Sequence, residues 1–300
     1  MSKLEVKFLE KTFKNPLVAA SGTFGFGEEY RDFFDPSIIG GICSKGLTLH
    51  PQSGNSGTRI WESASGVINS IGLENPGVKS FIDNELKTMN RIGPRVIVNF
   101  GAHSIEDFLE GIEMLNKEKL DFIELNISCP NVKEGGMAFC MNEDSAYEVT
   151  KKASELSVHP LIVKLSPNAP SIVDVACAVE NAGAAAVSLV NTFLAMAVDV
   201  YKKKPVFENT YAGLSGPAVK PIALRMVHQV SKAVDIPILA YGGVSDWMDA
   251  VEFIMAGADL VGVGSAVFPD PHVFEKILGG LEEYMGKTGI ESLTEIKGIV

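Results

Sequence analysis

Eight short apolar runs, rich in Val, Ile and Leu, recur along the chain and predict eight β-strands. Most of them lack the alternation of a strand with one solvent-facing side. Near-continuous apolar strands are typical of a parallel sheet that is covered on both faces. The predicted strands span residues 17–21, 40–45, 95–100, 121–128, 160–166, 185–191, 237–243 and 260–266.

Longer amphipathic segments separate many of these strands and predict α-helices. Eight β units with intervening helices favour a closed (β/α)₈ barrel over an open doubly wound sheet. The predicted helices span residues 104–118, 142–157, 169–183, 217–234 and 245–257.

Residues at the predicted helix ends support these boundaries. Ser104, Ser171 and Ser245 stand where N-caps are expected, because a serine oxygen can accept a hydrogen bond from the first turn. Gly183 and Gly257 stand where the chain must leave a helix.

The organisation of the chain favours one domain over residues 1–300. A length of 300 residues would also allow two domains, but no Pro/Ser-rich linker, composition shift or internal repeat divides the sequence. Before the first barrel strand, period-two alternation around Glu10 and Lys11 predicts a short N-terminal β-hairpin.

Composition excludes several classes of function. The net charge of −11 argues against a nucleic-acid partner and gives no attraction to an anionic membrane. No apolar run is long enough to span a bilayer, and the first residues lack the apolar segment of a signal peptide, so we expect a cytoplasmic protein. Four cysteines without a CxxC pair and five histidines without HxH or HExxH argue against a metal site or a disulfide framework.

The ends of the predicted strands carry the candidate chemistry. In a (β/α)₈ barrel the active site forms at the carboxyl ends of the strands. Here those ends are polar residues or glycines that can contact a ligand: Ser21-Gly22, Lys45-Gly46, Asn99, Asn126 to Cys129, Lys164, Asn191-Thr192, Gly242-Gly243 and Gly264-Ser265.

The glycines that follow the last two strands predict a phosphate site. Gly242-Gly243 and Gly264-Ser265 would let backbone N–H groups approach phosphate oxygens. Either pair alone would more simply be a turn, but two pairs at adjacent strand ends favour phosphate binding.

Two lysines end strands that are otherwise apolar. A buried lysine needs a partner, so Lys45 and Lys164 indicate an anion or an electron-rich ring in the barrel mouth. The alternative is that each lysine extends its ammonium group into solvent.

Asparagines recur near the same ends, at Asn69, Asn99, Asn126, Asn131 and Asn191. Each amide offers donors and an acceptor, which suits a planar ligand with alternating C=O and N–H groups. Many loop asparagines are merely turn formers.

The segment "ELNISCPN" places a thiol, Cys129, beside these amides. A thiol in a partly desolvated site can act as a base once its pKa is lowered. For Cys43 and Cys177 we expect inert packing instead, and Cys140 is expected to take no part.

Several motifs resemble those of the dihydroorotate dehydrogenases, and most closely the catalytic subunits of the NAD-linked, two-subunit class 1B. The resemblance runs over essentially the whole chain, and "SGTFGFG" and "IGLENPG" favour this class over the fumarate-linked homodimers. It rests on "NPLVAASGTFGFGEEY", "SASGVINSIGLENPG", "ELNISCPNVKEGGMAF", "VKLSPN" and "GLSGPAVKPIALRMV".

The resemblance implies an FMN-containing barrel that oxidises dihydroorotate to orotate in pyrimidine (UMP) biosynthesis. Cys129 would remove the C5 proton while C6 gives hydride to flavin N5, and Lys164 would lie near the N1/O2 edge of the flavin. The residues that would hold FMN are Ser21, Lys45, Gly46, Asn99, Asn126, Lys164, Val190, Gly216, Gly242, Gly243, Gly264 and Ser265. Those that would hold the pyrimidine are Lys45, Asn69, Ser70, Ile71, Gly72, Leu73, Asn126, Asn131, Asn191 and Thr192.

The sequence departs from the family pattern at two positions. Tyr241 stands where a methionine is usual, and Val267 where an asparagine is common. Neither change removes a glycine, so the predicted phosphate site survives.

The resemblance also implies a partner. The glycines of "GTFGFGEEY" do not fit the GxGxxG pattern of a nucleotide site, and the cysteines are too scattered to hold a cluster. We therefore expect an iron–sulfur flavoprotein subunit with FAD and a [2Fe-2S] centre, in a heterotetramer of two catalytic and two electron-transfer chains. The segment 132–139, with its paired glycines, is expected to act as a lid.

Three other functions stay open at this point. A related flavin barrel could act on another dihydropyrimidine, as dihydropyrimidine dehydrogenase does with a similar domain. A barrel isomerase or lyase could use the phosphate site alone, without redox chemistry. A non-catalytic barrel could serve as a scaffold.

Overall fold

The structure, a computed structural model, describes residues 4–128 and 142–300. Its first elements are β1 (Val6–Phe8), β2 (Lys11–Phe13), β3 (Leu17–Ala19), β4 (Gly41–Cys43), β5 (Ile60–Ser63), β6 (Gly66–Asn69), α1 (Gly77–Asp83), α2 (Glu85–Ile92), β7 (Arg95–Phe100), α3 (Ile105–Leu115) and β8 (Phe122–Asn126). Those that follow are α4 (Glu143–Leu156), β9 (Leu161–Lys164), α5 (Ile172–Asn181), β10 (Ala186–Leu189), β11 (Phe193–Met196), β12 (Val198–Asp199), β13 (Lys204–Pro205), β14 (Tyr211–Ser215), α6 (Lys220–Ser231), β15 (Ile238–Tyr241), α7 (Trp247–Met255), β16 (Leu260–Val263) and α8 (Val273–Thr288).

Eight of these strands close into a parallel barrel, which confirms the predicted fold class. The order around the barrel is β10-β15-β16-β3-β4-β7-β8-β9. All eight predicted strands are present: β7 has the predicted bounds, and the other seven are shorter than predicted. Side chains of these strands are buried on both faces, as the continuous apolar runs indicated.

The predicted N-terminal hairpin is also present. Strand β1 pairs antiparallel with β2, and Phe8 and Phe13 are fully buried. Both rings pack against Phe122, the first residue of β8, with ring centroids 5.7 and 5.9 Å from its own. Because Phe122 begins its strand, the hairpin covers the N-terminal end of the barrel and leaves the opposite end for a ligand.

Two of the three predicted N-caps are confirmed and one is wrong. The hydroxyls of Ser104 and Ser171 accept hydrogen bonds from the first turns of α3 and α5. Helix α7 begins instead at Asp246, whose carboxylate and that of Asp249 form a reciprocal capping box. Ser245 donates its hydroxyl to Asp249, so a charged acceptor one residue later displaces it as the cap. Gly183 and Gly257 adopt the left-handed backbone that ends a helix.

An antiparallel sheet of four strands, not predicted from the sequence, stands at the C-terminal end of the barrel. This mouth sheet has the order β11-β14-β6-β5. Its strands come from two distant segments, and Gly213 pairs directly with Asn69. Half-exposed strands of mixed composition have little periodic signal, which is why the sequence pattern missed them.

Helices α1, α2 and α8 were not predicted either. The side chains of Phe274, Ile277 and Leu281 on helix α8 are buried in the main hydrophobic core. Within residues 4–128 and 142–300, no helix has the length and apolar character needed to cross a membrane.

Candidate active site

A cavity of about 590 Å³ opens at the C-terminal ends of the barrel strands, where the sequence pattern predicted a site. Its volume falls within the range of roughly 300–1,000 Å³ that is common for small-molecule sites. The strand ends form its floor. Val67, Asn69 and residues of β14 in the mouth sheet form one wall.

The structure brings the described predicted residues together in this one cavity. All twelve residues predicted to hold FMN border it: Ser21, Lys45, Gly46, Asn99, Asn126, Lys164, Val190, Gly216, Gly242, Gly243, Gly264 and Ser265. So do the described residues predicted to hold the pyrimidine: Lys45, Asn69, Ser70, Ile71, Gly72, Leu73, Asn126, Asn191 and Thr192. Cys129, Asn131, Cys140 and the segment 132–139 lie outside the described residues. The individual roles stay predictions.

A buried carboxylate lies beneath the cavity floor. Glu124, in the middle of β8, has no exposed surface and does not border the cavity. Its Oε1 atom accepts hydrogen bonds from Ser188 Oγ at 2.7 Å and from the Tyr241 hydroxyl at 3.1 Å. Its Oε2 atom accepts from Asn99 Nδ2 and from Cys43 Sγ at 3.3 Å, and lies 3.4 Å from Lys164 Nζ. A barrel interior is usually filled by layers of apolar side chains. This polar and charged cluster is therefore unusual for a barrel interior.

The surroundings keep this carboxylate charged. Burial raises the pKa of Glu124, but Lys164 and the hydrogen bonds from Ser188, Asn99 and Cys43 together bring that pKa below its usual value. Burial, followed by the nearby Glu124 charge, raises the pKa of both Cys43 and Tyr241 well above their usual values. Both groups therefore remain protonated and donate to the carboxylate.

A chain of amides connects this carboxylate to the cavity. Asn99 donates to Glu124 through its Nδ2, and its Oδ1 accepts from Asn126 Nδ2 at 3.3 Å. Asn126 Oδ1 accepts from the hydroxyl of Ser128 at 2.7 Å, and that hydroxyl in turn accepts from Asn191 Nδ2. The asparagines thus hold one another in place and fix which amide atoms remain for a ligand.

The glycine-lined end of the cavity fits a phosphate group. Gly216, Gly242 and Gly243 have φ angles of 108°, 139° and 80°, which L side chains rarely adopt. A Cβ atom at Gly243 would lie 2.6 Å from the carbonyl oxygen of Gly216. At Gly264 the nearest atom to an added Cβ is 3.7 Å away, so the missing side chain leaves open space at the cavity surface. This cradle, together with two lysines and several amides, suits a ligand with a phosphate and a planar polar ring such as FMN.

The mouth sheet and its neighbours add lining residues that the sequence did not single out. Gln52 Nε2 lies 2.6 Å from His103 Nε2 at the cavity edge. Asn55 donates to both Ser70 oxygens, at 2.9 and 3.2 Å, and so holds the loop predicted to contact the pyrimidine. These residues come from loops without periodicity, and no pattern in the sequence marks them.

The remaining cysteines behave as the sequence suggested in part. Cys43 is fully buried, but it is also a hydrogen-bond donor to Glu124 rather than inert packing. Cys177, on α5, is only partly buried. No group of three or more metal-ligating side chains occurs in the described parts of the chain.

Comparison with known proteins identifies the family. The family model described as dihydroorotate dehydrogenase matches residues 3–285. The chain belongs to the dihydroorotate dehydrogenase family.

Individual members of the family match over almost their full length. The chain is 52% identical over 288 residues, 96% of each chain, to a protein of Petrotoga mobilis named dihydroorotate dehydrogenase B (NAD(+)), catalytic subunit. Proteins of the same name from Brachyspira hyodysenteriae and Bacteroides thetaiotaomicron are 48% and 47% identical, each with 99% of both chains covered. The resemblance stated from the motifs is therefore confirmed.

Proposed function

We propose that this chain is the catalytic subunit of an NAD-linked dihydroorotate dehydrogenase and oxidises dihydroorotate to orotate with FMN in pyrimidine biosynthesis. One observation carries the proposal. A glycine cradle suited to phosphate, two lysines and a set of mutually fixed amides all border one cavity at the barrel mouth. A barrel isomerase or lyase that uses the phosphate site alone, or a non-catalytic scaffold, would not need the lysines and amides beside that site.

The glycine end and the floor would hold the cofactor. Backbone N–H groups around Gly243 and Gly264 would bind its phosphate. Lys164 would place positive charge beside the ring, where negative charge develops on reduction. FMN, when bound, accepts the hydride and so supplies the redox chemistry.

The opposite side of the cavity would hold the substrate. Asn69 and Asn191 border it with amide groups that can pair with the C=O and N–H groups of a pyrimidine ring. Lys45 and the backbone of Gly72 would meet the carboxylate. Gly72 has φ 75° and Leu73 φ 52°, so this loop turns its backbone sharply at the cavity surface.

Cys129 is the proposed base for the C5 proton. It follows Ser128 directly in the chain, and the Ser128 side chain is bonded to Asn126 and Asn191 at the cavity floor. A thiol that accepts a proton must first lose its own, and exclusion of water around the substrate would strengthen the interaction of the thiolate with the C5 proton.

A second subunit would carry the electrons onward to NAD. The names of the relatives describe them as catalytic subunits, which supports a partner chain. The described residues offer no cluster-ligating group. We propose an iron–sulfur flavoprotein partner with FAD and a [2Fe-2S] centre, in a heterotetramer of two chains of each kind.

The decisive experiment is the visible spectrum of the purified chain. A flavin spectrum that is bleached by dihydroorotate under anaerobic conditions, and restored by an artificial electron acceptor, supports the proposal. Dihydrouracil serves as the matched control, because it lacks the carboxylate. Bleaching by dihydrouracil and not by dihydroorotate would assign the chain to another dihydropyrimidine, and a colourless protein that takes up no FMN would exclude a flavin enzyme.

A further inference from the structure

Glu124 receives hydrogen bonds or charge contacts from five different strands of the barrel. Cys43, Asn99, Lys164, Ser188 and Tyr241 lie on β4, β7, β9, β10 and β15, respectively. The carboxylate does not border the cavity, so it does not touch a ligand there. A buried ionised group is energetically costly unless it is fully paired. Such a cluster therefore calls for a role beyond packing.

Lys164 is the cation through which this cluster meets the cavity. Its ammonium nitrogen lies 3.4 Å from Glu124 Oε2 and 4.6 Å from the centre of the Tyr241 ring. Its side chain is only 8% exposed, yet it borders the cavity. The positive potential that a ligand experiences therefore depends on how far the negative charge of Glu124 offsets the charge of this ammonium group.

We propose that Glu124 and Tyr241 are positioning residues that set, through Lys164, the reduction potential of a flavin in the cavity. This inference rests on the proposed function, because it requires FMN beside Lys164. The reduction transfers a hydride, which is two electrons and one proton, so the ring gains one negative charge. A stronger positive potential at Lys164 stabilises the reduced ring and raises its potential.

The two residues act in opposite directions. The Glu124 charge lies against the ammonium group and lowers the potential it presents to the cavity. Tyr241 donates to Oε1 of the same carboxylate, at 3.1 Å, and so disperses its charge. Ser188 does the same from the other side, at 2.7 Å. Without either hydroxyl, the Glu124 charge is less dispersed and offsets more of the Lys164 charge, so the positive potential at the ring falls. Without the carboxylate charge, that potential rises.

The test measures the ratio of oxidised to reduced flavin in the holoenzyme at equilibrium with a reference dye. The ratio of oxidised to reduced dye is the same for every variant. Tyr241→Phe keeps the ring under Lys164 and removes only the hydroxyl. It should raise the oxidised-to-reduced ratio by roughly three- to tenfold, a fraction of the free energy of a hydrogen bond to a charged group. Ser188→Ala should change the ratio in the same direction.

Glu124→Gln should change the ratio in the opposite direction. Removal of a full charge next to Lys164 should lower the oxidised-to-reduced ratio by roughly tenfold or more. Lys164 borders the cavity, so in this variant its charge faces the bound ring. A general loss of packing would shift all three variants in the same direction, so opposite signs distinguish the two explanations.

Tyr284→Phe is the matched control. Tyr284 packs against Trp247 on the outer helices and does not border the cavity, so the ratio should stay at the wild-type value. Ratios that do not change in Tyr241→Phe and Glu124→Gln, or that change in the same direction, would overturn the inference. That result is distinct from failure of the proposed function, in which the wild-type chain itself binds no flavin or is not bleached by dihydroorotate.

If Glu124→Gln does not fold, the two hydroxyl variants still decide. Tyr241→Phe and Ser188→Ala remove single hydrogen bonds and leave the ion pair intact. Both must raise the oxidised-to-reduced ratio, and the double variant must raise it further than either one. An unchanged ratio in both would reject the role of the cluster.

Discussion

The ammonium nitrogen of Lys164 lies over the aromatic face of Tyr241, 4.6 Å from the ring centre, while the carboxylate of Glu124 holds it from 3.4 Å away. Both contacts are attractive, since an aromatic face carries partial negative charge. Tyr241 therefore contacts both the cation and, through its hydroxyl, the anion. The sequence alone showed this position only as a departure from the family pattern.

Lys164→Met should destabilise the fold strongly at neutral pH. It leaves the buried Glu124 charge without its cation, a change that typically lowers the free energy of unfolding by about 3–5 kcal/mol. Lys152→Met is the control, because Lys152 pairs with Glu148 on the surface and its loss should change stability by less than about 1 kcal/mol. Denaturant unfolding of the wild type and both variants, each with flavin removed, measures these changes in the free energy of unfolding.

The same variant should show a defined dependence on pH. In the wild type the pKa of Glu124 is below its usual value, so its contribution to stability is present above the unfolded pKa of about 4.3 and is lost as the pH falls. Without Lys164, burial should raise that pKa above the unfolded value. The deficit of Lys164→Met should therefore shrink as the pH falls from 7 to 5. A deficit that is constant over this range would contradict an ionised, lysine-paired Glu124.

Cys129→Ala should leave flavin bound but slow its reduction by dihydroorotate by about 10²–10⁴-fold, the usual effect of losing a general base. Cys129→Ser should recover part of the rate at high pH, because a hydroxyl gives up its proton less readily than a thiol. Anaerobic stopped-flow bleaching measures both rates. A wild-type rate in the alanine variant would show that another group takes the proton.

Gly243→Ala should weaken FMN binding while the barrel stays folded. The added Cβ would lie 2.6 Å from the Gly216 carbonyl oxygen, on a backbone with φ 80°, so the proposed phosphate cradle must distort. Roughly tenfold weaker FMN binding is expected if one backbone contact to the phosphate is lost, worth about 1.4 kcal/mol. Fluorescence titration of the flavin-free protein measures the affinity.

Gly286→Ala is the matched control for that variant. Gly286 lies within α8, and an added Cβ would meet no atom within 4 Å. FMN affinity should be unchanged, and the free energy of unfolding should rise by about 0.5–1 kcal/mol because alanine favours a helix. Full FMN retention in Gly243→Ala would exclude the glycine cradle as the phosphate site.

The isolated chain should reduce artificial acceptors well and NAD poorly. The described residues contain no group of three or more metal-ligating side chains that could carry electrons away from the cavity. Steady-state rates with a dye and with NAD, before and after addition of the proposed electron-transfer subunit, test this expectation. Rapid NAD reduction by the chain alone would mean that it needs no partner.

The barrel and its cavity floor could be predicted from the sequence because their signals are local and repeated. Most buried strands are near-continuous apolar runs, and the change from apolar to polar marks where they end. Parallel strands bring all those ends to one edge, so polar residues from Ser21 to Ser265 were expected to meet. The structure confirms this meeting for those it describes.

The mouth sheet could not be predicted because its pairing depends on residues far apart in the chain. Its outer positions, such as Trp61 and Leu194, are exposed apolar side chains, and its strands lack a clear period-two pattern. The role of Glu124 was missed for a related reason. One acidic residue within an apolar strand is a visible anomaly, but its partners lie on five other strands and appear only in three dimensions.

The pairing of the mouth sheet also fixes when a binding site can first exist during synthesis of the chain. The Asn69 amide donates to the carbonyl of Gly213, 144 residues later. A nascent chain that ends before β14 already contains six of the eight barrel strands, but it lacks the β14 part of this wall and the glycines at 242, 243 and 264. Under the proposed function, flavin loading would therefore be confined to chains that are almost fully synthesised. A product truncated before β14 would lack the predicted phosphate glycines and, under the same proposal, could not hold the cofactor.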